Sequence, residues 1–453
     1  MNRYQNSIGV LVPSVLLPRA GTDYSKWAVI ACDQYTSQPA YWEQAQALVA
    51  DAPSTLRLIL PEAYLGKPGE DERIRDVQRT MRAYLAEGVL EAQEEGFVLV
   101  RRQAEGKTRA GLILALDLEA YDYQKGAKTL IRATEGTIVE RIPPRLRIRE
   151  GAPVELPHIL VLIDDPGRTV IEPLLSRAAE LPLLYDTELM LGGGHVTGRL
   201  VSDPALIERT LGALASLSDA AAFEAKYGEG QRPLLFAMGD GNHSFATAKA
   251  AWEQLKPTLT EEAQKDHPAR FALVEIENVH DEGIVFEPIH RVLFGVDPDA
   301  ALSSLGALMM READGVRLTC CESEEALGEL LRGAAPGTHV LPFFSGKSRG
   351  AFEVKGPRQQ LPVGTLQRAV DAYLSETPEV EVDYIHGAGV VRELSNKPGT
   401  LGFLLPAMKK SELFPTVVYD GALPRKTFSM GEASEKRYYM ECRKILPEEK
   451  EET

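Results

Sequence analysis

A chain of 453 residues with 44% hydrophobic content can bury more than one core, and at about 150 residues per unit it suggests two or three domains. Its formal charge of −16, from 66 acidic and 50 basic residues, repels phosphate backbones, so no nucleic-acid partner is expected. Cys32, Cys320, Cys321 and Cys442 form neither a disulfide framework nor a metal-ligand spacing, and no apolar run approaches bilayer length, so a cytoplasmic setting without a membrane partner is expected.

The apolar run at residues 9–17 is short and broken by Pro13, and it reads as a strand rather than a signal peptide. Residues 27–31 read as a second strand, followed by a polar loop and a helix over 40–50 with Pro39 in its first turn. Residues 56–60 look strand-like. The spacing of Ile74, Val77, Met81 and Leu85 predicts a helix over 73–88. Residues 97–102 and 111–116 read as an antiparallel pair. After Pro143–Pro144, the alternation Arg145-Leu146-Arg147-Ile148-Arg149 predicts a strand with three arginines on one solvated face. Residues 158–163 read as a buried strand ending in Asp164–Asp165, and Gly192–Gly194 before His195 allow a turn or a close ligand approach. Beyond Val296 comes a helix over 324–332 with Ser323 as its cap, then the stretch 382–387. Ser429 and Glu432 fit a capping box before a C-terminal helix that Pro447 stops, and the charged tail 448–453 is expected to fray. The fold class is α/β (mixed α+β), in three segments: 1–142, 143–296 and 297–453.

The middle segment carries the densest chemistry. Residues 234–238 form an apolar strand, and Gly239-Asp240-Gly241-Asn242-His243-Ser244 a turn. Phe245, Ala248, Trp252 and Leu255 then share one helical face. Two glycines permit a sharp turn, and the free amides and dipole of the following helix make an anion seat. Asp240 is suited to hold magnesium or accept a proton, and Lys249 to reach a phosphate. A P-loop would end in Gly-Lys-Ser/Thr and a dinucleotide fingerprint would have glycine at Ser244, so neither motif applies. A helix cap by Asn242 or Ser244 is the plainer account, yet a cap needs one polar residue and four cluster here.

His290 and Arg291, following Glu287, read as a carboxylate- or phosphate-binding pair or as a surface ion pair. Arg425 and Lys426 are anion-binding candidates in a loop. Asp383 with His386 could be an acid–base pair, though a satisfied core histidine is the blander reading. Vicinal Cys320–Cys321 read as packing residues.

These motifs resemble the bacterial family known as domain of unknown function 1015. The resemblance rests on residues 239–250, 287–291 and the Pro424–Lys426–Thr427 loop, with Ala31-Cys32-Asp33-Gln34-Tyr35, Pro61–Glu62 and Arg132-Ala133-Thr134-Glu135. The family's central motif reads Asp-Gly-His-His-Arg, so Ser244 stands where an arginine is usual. That motif is in turn similar to the phosphate loop of the ParB/sulfiredoxin fold, which includes a kinase acting on free serine. The resemblance implies a ParB/sulfiredoxin-like core, nucleotide or phosphate binding and a serine or phosphoserine substrate. In that reading Gly239, Gly241, Asn242 and Ser244 seat the phosphates, and Asp240 acts as base or magnesium ligand. His243, Arg291 and Lys426 neutralise developing charge, Lys249 reaches a phosphate, and His290 orients or protonates. The direction, kinase or phosphatase, stays open, and a non-catalytic nucleotide-binding regulator is the alternative.

Overall fold

The computed structural model describes residues 4–136, 142–346 and 348–447. Two compact units emerge where the sequence suggested three segments: one runs through Val285 and resumes at Met430, the other spans Phe286–Ser429. The frayed tail expected at 448–453 lies outside the described residues. No described helix is long and apolar enough to cross a membrane.

The first unit is a mixed α/β structure around one large sheet. Its principal strands are β1 (Phe97–Ala104), β2 (Lys107–Asp117), β3 (Leu160–Ile163), β4 (Leu183–Leu189), β5 (Gly194–Val201), β6 (Phe236–Asp240) and β7 (Phe271–Asn278). They lie in the order β4-β5-β1-β2-β7-β3-β6, continued by the short strands Ile131–Arg132 and Tyr121–Asp122. The predicted hairpin is β1–β2, antiparallel with Leu99 opposite Leu112. Strands β7 and β3 run parallel, whereas β3 and β6 are antiparallel with Leu160 opposite Asp240. Alternation sends Val274 and Ile276 to one core and Leu273 to the other, so both faces of the sheet are covered.

Helix α1 (Pro39–Val49) and helix α2 (Glu70–Ala86) form where the apolar spacing and Pro39 predict them. In α2, Ile74, Val77, Met81 and Tyr84 are buried, while Leu85 is partly exposed. Several short elements differ from expectation. Residues 9–17 break into the strands Val10–Leu11 and Leu16–Pro18, because Pro13 interrupts the ladder. Trp27 ends a helical turn, Tyr24–Trp27, capped by Asp23, ahead of the strand Val29–Ile30. Thr55–Leu58 is a 3₁₀ helix capped by Ser54, not a strand.

The arginine run is a helix too, α3 (Ile142–Arg149), and the next long helix is α4 (Pro204–Leu217). Ile142 and Leu146, four apart, are the buried residues of α3, so helical spacing overrides the alternation. Its arginines disperse: Arg145 pairs with Glu62, Arg147 with Glu70 and Asp71, and Arg149 with Glu155 at 2.6 Å.

The C-terminal segment replaces the expected helix with a 3₁₀ turn, Ala433–Glu435, and two short strands. Tyr438–Tyr439 pairs antiparallel with Val29–Ile30, and Arg443–Lys444 with Val154–Glu155. The capping box is Glu432 with Glu435, and Ser429 lies in the strand Phe428–Met430. Ladder pairing thus takes the backbone groups that an isolated helix would have satisfied internally.

The second unit has its own antiparallel sheet, in which Phe286–Phe294 pairs with Glu381–His386 and with Thr400–Phe403. Helix Glu324–Arg332 is capped by Ser323 as the sequence predicts. Two small expectations fail here. His386 is exposed rather than a core histidine, and Cys320 is exposed at the end of strand Gly315–Cys320.

Candidate functional site

Strand β6 delivers Asp240 to a turn at the end of the sheet, and helix α5 (Asn242–Leu255) starts immediately beyond it. Gly241 makes the turn with φ +77°, and a Cβ there would lie 3.0 Å from Ile159 Cα. Gly239 is tight as well, since a Cβ would meet Met430 Sδ at 2.8 Å. Phe245, Ala248 and Trp252 anchor α5 in the core, as the spacing predicts.

The helix is not side-chain capped. Gly241 holds the cap position, and Ser244 Oγ turns instead to His158 Nε2, 3.0 Å away. Among the described residues no group accepts from the amides of Asn242 or Ser244, and the buried Asn242 Oδ1 has no hydrogen-bond partner. The turn therefore presents unspent donors at the positive end of a fourteen-residue helix.

Asp240 is held on both oxygens. Its Oδ1 accepts from the Gly241 amide at 2.8 Å, and Oδ2 lies 3.2 Å from Lys436 Nζ. Burial alone would raise its pKa, but Lys436, His158 and the Gly241 amide outweigh burial and hold it below the usual carboxylate range. Both oxygens are thus already engaged, and among the described residues no group of three His, Cys, Asp or Glu side chains is gathered to hold a metal.

His158, almost fully buried two residues before β3, joins three distant stretches of chain. Its Nδ1 is 2.9 Å from the Tyr439 hydroxyl, and its Nε2 lies 4.0 Å from Asp33 Oδ2. The Tyr439 oxygen also accepts from the Cys32 amide at 3.1 Å. Burial pushes the phenol well above its ordinary pKa and the Cys32 thiol up to about 12, so both stay protonated at neutral pH.

His158, Ser244, Tyr439 and Cys32 all line one cavity of about 140 Å³. Its lining mixes apolar side chains, among them Leu60, Met81 and Leu273, with the charged Glu62, Arg145 and Arg149. A small molecule with both apolar and polar groups matches such a lining.

The residues predicted from sequence fall into two groups. Gly239, Asp240, Gly241, Asn242, His243 and Ser244 form the turn and the first residues of α5 in the first unit. Lys249 lies further along α5 and pairs with Glu253 at 2.6 Å instead of reaching toward the turn. His290, Arg291 and Lys426 belong to the second unit. There His290 and Arg291 sit within a strand, both buried. His290 Nδ1 accepts from the Leu405 amide, and burial with the neighbouring Arg291 pushes its pKa down to about 4. Arg291 donates to Gln367 Oε1 at 2.7 Å and to the Arg425 carbonyl at 2.9 Å, and stacks on Tyr384. Lys426 is exposed, with φ +54°.

His158, Tyr439 and Lys436 were not singled out in the sequence. The visible signal was indirect: the motifs around Asp33 and Glu62 flank the same cavity.

No curated protein matches the chain. Several solved structures resemble it at 12% identity. A conserved hypothetical protein from Pyrococcus furiosus aligns over 74% of this chain and 95% of its own, with a TM-score of 0.34. A free serine kinase in complex with AMP aligns over 74% and 91%, with a TM-score of 0.36. SbnI with a C-terminal truncation, from Staphylococcus aureus, aligns over 70% and 82%, with a TM-score of 0.34. A family model, Protein of unknown function (DUF1015), matches residues 16–373, and the chain belongs to that family.

Proposed function

We propose that the first unit binds the phosphate of a nucleotide or small phosphorylated metabolite at the Gly241 turn and works as a phosphotransfer enzyme on a small hydroxylated substrate. The observation that carries this reading is the pair of unspent amides at Asn242 and Ser244, beside a cavity whose lining mixes apolar and charged side chains. Lys436, steadied by Asp240, supplies compensating charge, and phosphoryl transfer asks chiefly for positioning and charge neutralisation. Asp240 acts here by positioning Lys436. Free serine and phosphoserine are the first substrates to test, because the sequence motifs resemble a fold that includes a free-serine kinase. The ParB/sulfiredoxin-like core is part of the same proposal, and the reading rests on first-unit residues alone.

Isothermal titration calorimetry with inorganic phosphate, ADP and phosphoserine tests the anion seat. At least one should bind, and Gly241→Val should weaken it by about tenfold or more, equivalent to 1.4 kcal/mol. That substitution forces a branched side chain into a left-handed turn 3.0 Å from backbone, so the amides lose their aim. Circular dichroism on the same variant separates a displaced turn from an unfolded chain. Silence from all three ligands would sink the proposal. A bound nucleotide with no conversion of serine, phosphoserine or related small alcohols would favour the regulator over the enzyme.

A further inference from the structure

We infer that Ser244 is a covalent nucleophile, activated by His158 and oriented through Tyr439, so that the phosphoryl group passes through a seryl ester on the protein. This deepens the phosphotransfer reading and rests on it. Its ground is a line of three side chains facing one cavity: Ser244 Oγ to His158 Nε2 at 3.0 Å, and His158 Nδ1 to the Tyr439 hydroxyl at 2.9 Å. A hydroxyl nucleophile needs a base within hydrogen-bond reach and a third group that fixes the base, and both are present.

In this mechanism His158 carries its proton on Nδ1. The Tyr439 oxygen takes one proton from the Cys32 amide and has a second lone pair for His158 Nδ1–H. That arrangement leaves Nε2 free to accept the Ser244 hydroxyl. When His158 becomes cationic, Asp33 Oδ2 at 4.0 Å from Nε2 stabilises it. Ser244 occupies the third position of α5, in the first turn, where amides without intrahelical partners and the positive end of the helix dipole favour a developing anion. A serine serving only as a helix cap would bond backward to the turn, and this one does not.

The step balances without metal or oxidant. In the first half, the Ser244 Oγ–P bond forms while the P–O bond to the leaving group breaks. His158 takes the hydroxyl proton and returns it to the leaving oxygen. In the second half, a water or substrate hydroxyl gives its proton to His158 and attacks phosphorus, and the Oγ–P bond breaks with Ser244 reprotonated. Lys436 and the two amides hold the phosphoryl oxygens throughout.

Diisopropyl fluorophosphate tests the assignment on the full chain without knowledge of the natural substrate. Its P–F bond breaks as the Oγ–P bond forms, fluoride leaves, and His158 takes the proton. Intact-mass and peptide mass spectrometry should show one adduct, on Ser244, absent in Ser244→Ala. His158→Gln should slow labelling by about 100-fold or more. Tyr439→Phe, which removes only one oxygen, should slow it less and shift the pH dependence of the labelling rate. That shift is a readout a merely structural tyrosine would not give. Calorimetry with ADP or inorganic phosphate on Ser244→Ala separates the two ideas. Retained binding with lost labelling supports the nucleophile. A wild-type chain that binds these ligands but is never labelled at Ser244 overturns it, while leaving the anion seat standing.

Discussion

Replacing Arg437 by leucine is expected to lower stability by about 3–5 kcal/mol, read as a reduced urea midpoint with an unchanged slope. Arg437 is almost fully buried and serves two carboxylates that are more buried still. Its Nε lies 2.8 Å from Glu275 Oε2 and its Nη2 lies 2.6 Å from Glu441 Oε2, while Nη1 donates to the Pro157 carbonyl. Removing the guanidinium leaves two desolvated acids without their common partner. The cost then becomes pH-dependent. Burial already raises the Glu441 pKa against the pull of Arg437, and loss of Arg437 raises it further. A raised folded-state pKa gives stability that is present at low pH and lost as pH rises through that value. The deficit of Arg437→Leu should therefore widen from pH 5 to pH 8. A cost under about 1 kcal/mol at pH 7, or one that does not change with pH, would show that the pair contributes little. The consequence reaches the site, because Arg437 lies between Lys436 and Tyr439 in sequence and pins the segment that carries both.

That segment also shows where the sequence was legible and where it was not. The turn at residues 239–244 and α5 could be read directly, because an apolar strand, two glycines and a helical stripe from Phe245 to Trp252 are all local signals. Helix α2 and the β1–β2 hairpin were legible for the same reason. His158 was not. Nothing near it in sequence distinguishes it from a strand-end histidine, and its partners lie 86 and 281 residues away. Lys436 and Tyr439 were hidden behind a helix expectation, because Tyr438–Tyr439 find a ladder partner only in Val29–Ile30. The run Arg145–Arg149 misled in the opposite sense. Its alternation is genuine, but the buried positions are set by Ile142 and Leu146, and only the tertiary contact reveals which period wins. Arg291 looked like a ligand-binding group because its type suits one, whereas its donors are engaged by Gln367 and by the backbone carbonyls of Ile289, His290 and Arg425 inside the second unit. Residue type marks what chemistry is available, and partners decide whether it is already in use.

Glu277→Gln should gain stability relative to the natural protein as pH rises from 5 to 9, by something on the order of 2–4 kcal/mol across that window. Glu277 is fully buried on β7, with Arg109 Nε 2.8 Å away. Burial outweighs Arg109, and the neighbouring charges of Glu275 and Asp281 add to it, so the carboxyl is pushed up to about 8. Because that folded-state value exceeds the unfolded one, its contribution is complete below the unfolded pKa and is lost as pH climbs through 8. Glutamine stays neutral over the whole range and escapes the loss. Asp240 runs the other way, since its depressed pKa gives stability above the unfolded value that vanishes as pH falls. The natural protein should therefore have a stability maximum between the two transitions, and Glu277→Gln should lessen the alkaline decline, leaving the share that Glu441 contributes, without changing the acid one. Urea midpoints taken at intervals from pH 4 to 9 read this directly. If Glu277→Gln is instead destabilised by a similar amount at every pH, the carboxylate is ionised in partnership with Arg109, and the order of burial over attraction assigned here is reversed.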